Sequence, residues 1–327
     1  MAPYPTHIQV GPLRIEPAVL LAPMEGVTNL TFRRMIRRIG GVGLTATEFV
    51  ASRGIVEHIQ RDEEMAAFDP DEHPVSVQIY GRDPQAMGEA ARILTQLGPD
   101  IIDINMGCPS KKVCARSGGS ALMRDPALAI EIVRAVRQGT DRPVTVKMRS
   151  GFSAEERNAP ELAYACQEEG AEMVTIHWRT RADRYGGDRD VGKIAETVDR
   201  LTIPVIANGD IVDIPSARRM LEETGCDGLM VGRGAMRNPW LIRQLGQWMK
   251  GETVESPSLE ERRQVLLAFI EETEASFRTP KAALGRIKGL CSQYLQAWPA
   301  GVAAKQATLR SSSIEELRQH LDSAFVG

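Results

Sequence analysis

Eight short runs of apolar and β-branched residues recur through the first 245 or so residues of the chain, separated by stretches with helical periodicity. Near-continuous apolar strands that alternate with amphipathic helices predict a parallel sheet covered on both faces. Eight such repeats predict an α/β fold of the (β/α)8 TIM barrel type. An open doubly wound sheet is the competing arrangement, but no GxGxxG sequence follows the first run to favour it. The runs cover residues 19–24, 44–50, 75–81, 101–107, 144–151, 173–180, 204–211 and 228–235.

Short sequence signals mark the helices between these runs. Residues 32–39 and 191–198 carry apolar side chains at i, i+3, i+4 and i+7, which is the spacing of one helix face. Elsewhere an Asp or Asn stands before a proline, and this pair suits a helix cap followed by the first helical turn. We therefore predict helix starts at Asp83-Pro84, Asp125-Pro126 and Asn238-Pro239.

The composition of the chain changes after Lys250, where the polar segment GETVESPSLEE begins. Ser258 and Glu261 have the spacing of a capping box, and no strand-like run follows them. We predict a barrel domain at 1–250 and a small C-terminal all-helical domain at 251–327. The last helix is expected to begin near Ser312 or Ser313 and to bury Leu317, Leu321 and Phe325.

The segment 278–310 is basic and contains no acidic residue. Its cations, with Tyr294 and Trp298 among them, have two interpretations. They form either a solvated helix face above core aromatics or a patch that binds a polyanion. The six cations are Arg278, Lys281, Arg286, Lys288, Lys305 and Arg310.

Composition excludes several classes of protein. The formal net charge of −3 over 327 residues means that any nucleic acid must bind a local basic patch rather than the whole surface. Five dispersed cysteines without a CxxC pair indicate a reducing compartment, with no disulfide framework and no zinc site. No apolar run has the roughly 20 residues that span a bilayer, and the N-terminus does not read as a secretory signal. We expect a cytoplasmic protein without a membrane partner.

Polar residues cluster at the predicted carboxyl ends of the strands, where a TIM barrel forms its active site. Any one of them has a structural explanation, but together they predict a site on one rim. They are Met24, Glu25, Gln78, Asn105, Cys108, Lys147, Arg149, His177, Arg179, Arg181, Asn208, Gly209, Asp210, Gly232 and Arg233.

The last two runs, ANGD and VGRGA, offer small residues and backbone N–H groups at the strand ends where TIM barrels bind phosphate. Lys147 could form a Schiff base or balance an anion. Because Gln78, Asn105 and His177 offer neutral hydrogen bonds rather than paired carboxylates, the set suits a planar heterocycle such as flavin mononucleotide (FMN).

The segments LAPMEGVTN, TEF, VQIYGRDP, DINMGCPSKKV, GSALM, VKMRSG, IHWRTR, YGG, IANGDI and GRGAMRNPW, in this order, resemble the tRNA-dihydrouridine synthases, and most of all their bacterial B type. The likeness covers residues 10–245 and, more loosely, the tail. It implies an FMN enzyme that uses NADPH to reduce the C5–C6 double bond of uridines in tRNA. Ribosomal RNA is a further candidate substrate, and we expect a monomer. By matched motif, the cofactor would be bound by Ala22, Pro23, Met24, Gln78, Lys147, His177, Asn208, Gly209, Asp210, Gly232 and Arg233.

The same resemblance makes Cys108 the proton donor to uracil C5. A free thiol with a pKa of about 8.5 is largely protonated at neutral pH and can act as an acid. The neighbouring lysines could lower that pKa, so we expect them to face RNA phosphate. The residues expected to bind substrate are Asn105, Lys111, Lys112, Arg149, Arg179, Arg181, Arg286 and Lys288.

Trp178 departs from the family pattern, which has a small residue after the histidine. Its ring is expected either beside the flavin site or pointing away from it. Three competing functions remain open from the sequence. They are a small-molecule FMN oxidoreductase of the dihydroorotate or dihydropyrimidine dehydrogenase type, an aldolase that uses Lys147 as a Schiff base, and a non-catalytic RNA-binding protein.

Overall fold

The computed structural model describes residues 4–57, 65–114, 118–184, 186–297 and 301–325, without the side chains of residues 112, 297, 324 and 325. The predictions for Trp298 and for the side chains of Lys112 and Phe325 lie outside these residues. The described strands are β1 (Ile8–Val10), β2 (Leu13–Ile15), β3 (Val19–Leu21), β4 (Thr45–Ala46), β5 (Val50–Ala51), β6 (Val75–Tyr80), β7 (Ile101–Met106), β8 (Val144–Arg149), β9 (Met173–His177), β10 (Val205–Asn208) and β11 (Gly228–Val231).

Eight parallel strands form the predicted barrel. They pair in the order β3-β11-β10-β9-β8-β7-β6-β4, and a parallel bridge between Leu20 and Leu44 closes the ring. The short strand β5 adds to the end of β6, and the antiparallel pair β1–β2 precedes the barrel. The apolar runs are continuous because the barrel strands are buried both by the inner side chains and by the outer helices.

The helices connect and cover these strands. They are α1 (Leu30–Ile39), α2 (Ser52–Glu57), α3 (Pro84–Thr95), α4 (Lys111–Cys114), α5 (Pro126–Gly139), α6 (Ala159–Glu168), α7 (Gly192–Arg200), α8 (Ile214–Thr224), α9 (Arg233–Arg237), α10 (Leu241–Lys250), α11 (Leu259–Ser276), α12 (Pro280–Tyr294), α13 (Gly301–Arg310) and α14 (Ile314–Phe325). None of the helices in the described part of the chain is long and apolar enough to cross a membrane.

Two of the three predicted helix starts are confirmed. The Asp83 carboxylate accepts hydrogen bonds from the N–H groups of Gln85 and Ala86, and Asp125 caps α5 in the same way. The prediction at Asn238-Pro239 is wrong. Asn238 ends α9 and its carbonyl closes a turn with the Leu241 N–H, so that α10 begins two residues after Pro239.

A buried ion pair ties α1 to the segment before β6. The Arg33 guanidinium donates to both Glu72 carboxylate oxygens, at 2.6 and 3.1 Å, and both side chains are almost fully buried. Thr45 in β4 donates a further hydrogen bond of 2.9 Å to the same carboxylate. These bonds position the strand whose carboxyl end leads into the mouth of the barrel.

The C-terminal region is helical, as predicted. Ser258 caps α11 through the Glu261 N–H, and α14 begins one residue after Ser313 and buries Leu317 and Leu321. Helix α11 packs on α1, and α12 packs on α9, beside the mouth of the barrel. Tyr294 is buried and donates to the Arg262 carbonyl, so it belongs to the core rather than to a basic surface.

Candidate active site

The predicted site residues of the central strands lie side by side at the carboxyl end of the barrel. Strand register pairs Gln78 of β6 with Asp103 of β7, and Asn105 of β7 with Lys147 of β8. His177 of β9 pairs with Asn208 of β10. The structure therefore brings together the five predicted site residues Gln78, Asn105, Lys147, His177 and Asn208.

A chain of hydrogen bonds runs from a buried carboxylate to the cysteine loop. Asp103 accepts from Gln78 Nε2 and from Thr145 Oγ1, both at 2.5 Å. Gln78 Oε1 then accepts from Asn105 Nδ2 at 2.7 Å. Asn105 Oδ1 in turn accepts from the N–H groups of Gly107 and Cys108, at 3.1 and 2.9 Å. Because a carboxylate only accepts, it fixes the orientation of both amides along the chain.

Two charges lie beneath the mouth of the barrel. Burial raises the pKa of Asp103 to about 6, against the lowering effect of its hydrogen bonds and of the nearby Lys147 ammonium. Burial, together with the charge of Arg149, lowers the pKa of Lys147 to about 8. Both groups are thus mainly ionised at pH 7. The Lys147 ammonium donates to Asn208 Oδ1 at 3.0 Å, and Asn208 Nδ2 donates to the Met230 carbonyl.

Cys108 is a free, half-buried thiol at the mouth of the barrel. Burial raises its pKa above the ordinary value, and the negative charge of Glu25 acts in the same direction. The thiol is therefore protonated at neutral pH, as the acid role requires. Its loop is held by Ser120 Oγ, which donates to the Cys108 carbonyl at 2.9 Å, and by Arg149 Nε, which donates to the Gly107 carbonyl at 2.9 Å.

His177 is a neutral donor. Burial and then the charges of Lys147 and Arg149 hold its pKa well below the ordinary value. Its Nδ1 accepts from the Arg179 N–H at 3.1 Å, so the proton sits on Nε2. Nε2 can then donate to a carbonyl or ring nitrogen of a ligand.

The Trp178 ring lies beside the site, under the turn that follows β10. A Cβ at Gly209, whose φ is +119°, would fall 2.5 Å from Trp178 Cδ1 and 3.1 Å from His177 Cε1. The Arg179 guanidinium covers the ring at 3.9 Å. The bulky ring thus fills the space below Gly209, and this explains why that position has no side chain.

The two arginines at the phosphate end of the predicted site share one carboxylate. Asp210 accepts from Arg179 Nη2 at 2.6 Å and from Arg233 Nη2 at 2.7 Å. Arg179 Nη1 is buried and has no hydrogen-bond partner among the described residues. Next to this cluster, a Cβ at Gly232 would meet only Met24 Sδ and Ala22 Cβ, at 3.6 and 3.7 Å. The sequence-predicted Ala22, Met24, Asp210, Gly232 and Arg233 are therefore neighbours.

The predicted substrate-binding residues are more scattered. The Arg149 guanidinium is buried and donates to backbone carbonyls of the loops, including that of Thr180 at 2.8 Å. Lys288 donates to the Ser311 carbonyl within the helical region, and the Arg286 guanidinium lies over the Phe277 ring. Lys111 is exposed on α4, three residues after Cys108.

Asp103 and Thr145 are the site residues that the sequence reasoning missed. Asp103 stands two positions before Asn105 in β7, so both side chains lie on the same face of the strand. That spacing was the available signal, because an acid in an otherwise apolar barrel strand must be paired. No group of three His, Cys, Asp or Glu residues among those described is placed to hold a metal ion.

Comparisons with known proteins identify the family to which this chain is similar. A model of the dihydrouridine synthase (Dus) family matches residues 20–326. A probable tRNA-dihydrouridine synthase of Rickettsia bellii is 43% identical over 262 residues, which cover 80% of each chain. The tRNA-dihydrouridine synthase B of Pseudomonas aeruginosa is 40% identical over 266 residues, which cover 81% of this chain and 80% of that protein.

Among solved structures, morphinone reductase superposes with a TM-score of 0.51 at 14% identity, covering 80% of this chain and 93% of that one. This likeness concerns the barrel fold alone. The match to the family model and the identity to its members extend over most of the chain. The chain therefore belongs to the dihydrouridine synthase family of enzymes.

Proposed function

We propose that the protein reduces the C5–C6 double bond of uridines in tRNA to give 5,6-dihydrouridine, with bound FMN and with NADPH as the reductant. The observation that carries the proposal is the half-buried Cys108, whose backbone N–H is held by Asn105 at the mouth of a barrel that also presents Lys147 and His177. Burial raises the pKa of the Cys108 thiol, which favours its protonated form. Relatives with 40% identity over 81% of this chain are named for this activity.

The residues at the mouth fit the proposed cofactor. His177 Nε2 is a donor, and the Lys147 ammonium offers positive charge to a flavin carbonyl. The buried Arg179 Nη1 lacks a partner among the described residues and can donate to a phosphate, and Gly232 brings the backbone close to this end of the site without a side chain. When bound, FMN supplies the hydride, taken from NADPH, to uracil C6. The cofactor would be held by Ala22, Pro23, Met24, Gln78, Lys147, His177, Asn208, Gly209, Asp210, Gly232 and Arg233.

Cys108 provides the proton that completes the reduction. Hydride addition at C6 leaves negative charge over C5 and O4 of the ring, and the thiol gives its proton to C5 from the opposite face. A raised pKa suits this role, because a thiolate could not act as the acid. Asn105 positions the Cys108 loop through its Oδ1 atom, and one Nδ2 proton is left for the uracil.

The RNA must present the uridine outside its stack, which takes a few kcal/mol. Contacts between basic residues and phosphates offset this energy. Lys111 and Lys112 lie on α4, which follows Cys108 in the chain, and Arg181 lies in the loop after β9. Arg286 lies on α12 in the helical region. We propose that residues 251–327 form the domain that grips the RNA, whereas Arg149 and Arg179 act by holding the loops of the site.

The test is direct. Purified protein is expected to carry FMN, to oxidise NADPH when given tRNA that lacks dihydrouridine, and to add 2 Da to defined uridines by mass spectrometry. Turnover of free pyrimidine bases with no product in tRNA would instead establish a small-molecule oxidoreductase. A colourless protein with an aldolase activity, or unchanged tRNA in the presence of bound FMN, would also refute the proposal.

A further inference from the structure

An open cavity of about 640 Å³ lies on the rim of the barrel mouth, to the outside of the Cys108 loop. The loops that follow β6, β7, β8 and β9 form its walls, so it lies on the same face of the barrel as the candidate active site. The cavity, named here the rim pocket, has the size of a site for a small ligand. Its functional side chains are Arg82, Lys111, Arg124, Phe152 and Arg181.

Four cationic side chains line the rim pocket against one carboxylate, Asp125, which caps α5. Arg124 pairs with Glu156 at 3.3 Å, but both side chains are about half exposed, and such pairs contribute little. Arg82, Lys111 and Arg181 form no ion pair with any residue that the structure describes. Arg181 Nε is moreover buried and has no hydrogen-bond partner among those residues. The pocket is therefore built to receive an anion.

The rim pocket also contains an aromatic ring flanked by guanidinium groups. Arg124 Cζ lies 4.9 Å and Arg181 Cζ lies 5.1 Å from the centroid of the Phe152 ring. Backbone hydrogen bonds hold this arrangement, because the Phe152 N–H donates to the Glu156 carbonyl and the Ala182 N–H donates to the Phe152 carbonyl. Nucleobases stack on aromatic rings and on arginine planes, and their phosphates pair with free cations.

We propose that the rim pocket holds one nucleotide of the RNA strand next to the uridine that is reduced. The base packs against Phe152, and the phosphate lies among Arg82, Lys111 and Arg181. Lys111 follows Cys108 by three residues, which places this nucleotide beside the one in the active site. The inference rests on the proposed function and adds a second RNA-binding site, which lies across the mouth of the barrel from the helical domain.

The experiment compares Arg82→Ala, Phe152→Ala and Phe152→Trp with the unchanged protein. The dissociation constant of fluorescein-labelled tRNA is measured by titration at several salt concentrations. Matched controls are Tyr164→Ala and Arg200→Ala, because Arg200 Cζ lies 5.2 Å from the Tyr164 ring in the same kind of pair on the outer helices α6 and α7.

Both alanine variants in the rim pocket are expected to weaken tRNA binding about 10-fold, which is the scale of one stacked base or one phosphate contact. Arg82→Ala should also lower the slope of log affinity against log salt by about 1. Phe152→Trp and the two controls should bind as the unchanged protein does, and the rate of NADPH oxidation without RNA should be the same in all.

Unchanged tRNA affinity in both alanine variants would overturn the proposal. A higher KM for NADPH in these variants would also overturn it, because the pocket would then bind the reductant. Because tRNA affinity is measured without turnover, the experiment can refute the role of the rim pocket without refuting the proposed function, and the reverse also holds. Protein that binds tRNA through the pocket but forms no dihydrouridine would refute the proposed function alone.

Discussion

The substitution Asp103→Ala tests whether the buried carboxylate sets the geometry of the cysteine loop. It removes the acceptor for Gln78 Nε2 and Thr145 Oγ1, both bonded at 2.5 Å. Each buried donor left without a partner destabilises the fold by about 1–3 kcal/mol, so we expect the free energy of unfolding to fall by roughly 2–6 kcal/mol. Gln78 is then free to turn its amide, and Asn105 loses its fixed orientation.

Asp103→Asn is the matched control. The new amide oxygen can accept from Gln78 Nε2, and its NH2 group can donate to Thr145 Oγ1, because a hydroxyl is both donor and acceptor. The chain to Asn105 and Cys108 is thereby kept. We expect Asp103→Ala to lower the single-turnover rate of uridine reduction by 10- to 100-fold, which corresponds to a barrier higher by roughly 1.4–2.7 kcal/mol. The rate of Asp103→Asn should remain within about fivefold of the rate of the unchanged protein, which corresponds to a barrier change of at most about 1 kcal/mol.

The assay combines urea unfolding with rapid mixing of FMN-loaded, prereduced protein and tRNA, followed by mass spectrometry of the product. A positioning role requires the rate to recover in Asp103→Asn, which a merely electrostatic role would not allow. The reasoning is refuted if Asp103→Ala reduces uridine at the normal rate, or if Asp103→Asn is as slow as Asp103→Ala.

Three further predictions follow from the charges and burial described. Burial raises the pKa of Asp103 from 3.8 to about 6. Between these two pH values the native state therefore binds more protons than the unfolded state does. The free energy of unfolding should fall by about 3 kcal/mol as pH rises from 3.8 to about 6. Urea titrations of Asp103→Asn should lack this decline, and an equal decline in both proteins would contradict the assignment. Alkylation of Cys108 by iodoacetamide, followed by peptide mass spectrometry, should be slow at pH 7 and should reach its plateau at a higher pH than that of an ordinary free thiol, because burial raises the thiol pKa. Fast alkylation at pH 7 would show a thiolate and would contradict the prediction. Glu72→Ala should lower the free energy of unfolding by about 3–5 kcal/mol, because it leaves the buried Arg33 charge unpaired. The control Arg92→Ala breaks an exposed ion pair and should change the free energy of unfolding by less than about 1 kcal/mol. Similar changes in the two variants would contradict the prediction.

The barrel could be predicted from the sequence because the signals for its strands and helices each lie within a short segment of the chain. Each apolar run has to be a strand buried on two faces, and eight such runs leave few alternatives. The helix start at Asn238-Pro239 was wrong for a local reason as well. Asn238 already caps the C-terminus of α9, and a turn through Pro239 and Trp240 separates it from α10. A cap-proline pair does not reveal which of two adjoining helices it serves.

The site was predictable where residues lie at strand ends and was not where loops meet. Asp103 was overlooked because it stands within an apolar run, although its spacing from Asn105 shows that they share a face. The pairing of Phe152 with Arg124 and Arg181 joins three loops, and no spacing in the sequence indicates it. Likewise, only the structure shows that Trp178 packs below Gly209 and beside His177.

The most direct test of the central claim is a map of dihydrouridine in total RNA from cells that lack the gene and carry either the unchanged protein or Cys108→Ala. Both purified proteins must first show bound FMN that NADPH reduces at the same rate, so that any difference lies in the proton step. We expect the unchanged protein to restore dihydrouridine at defined tRNA positions and Cys108→Ala to restore none. Full restoration by Cys108→Ala, or an identical map with and without the unchanged protein, would contradict the account.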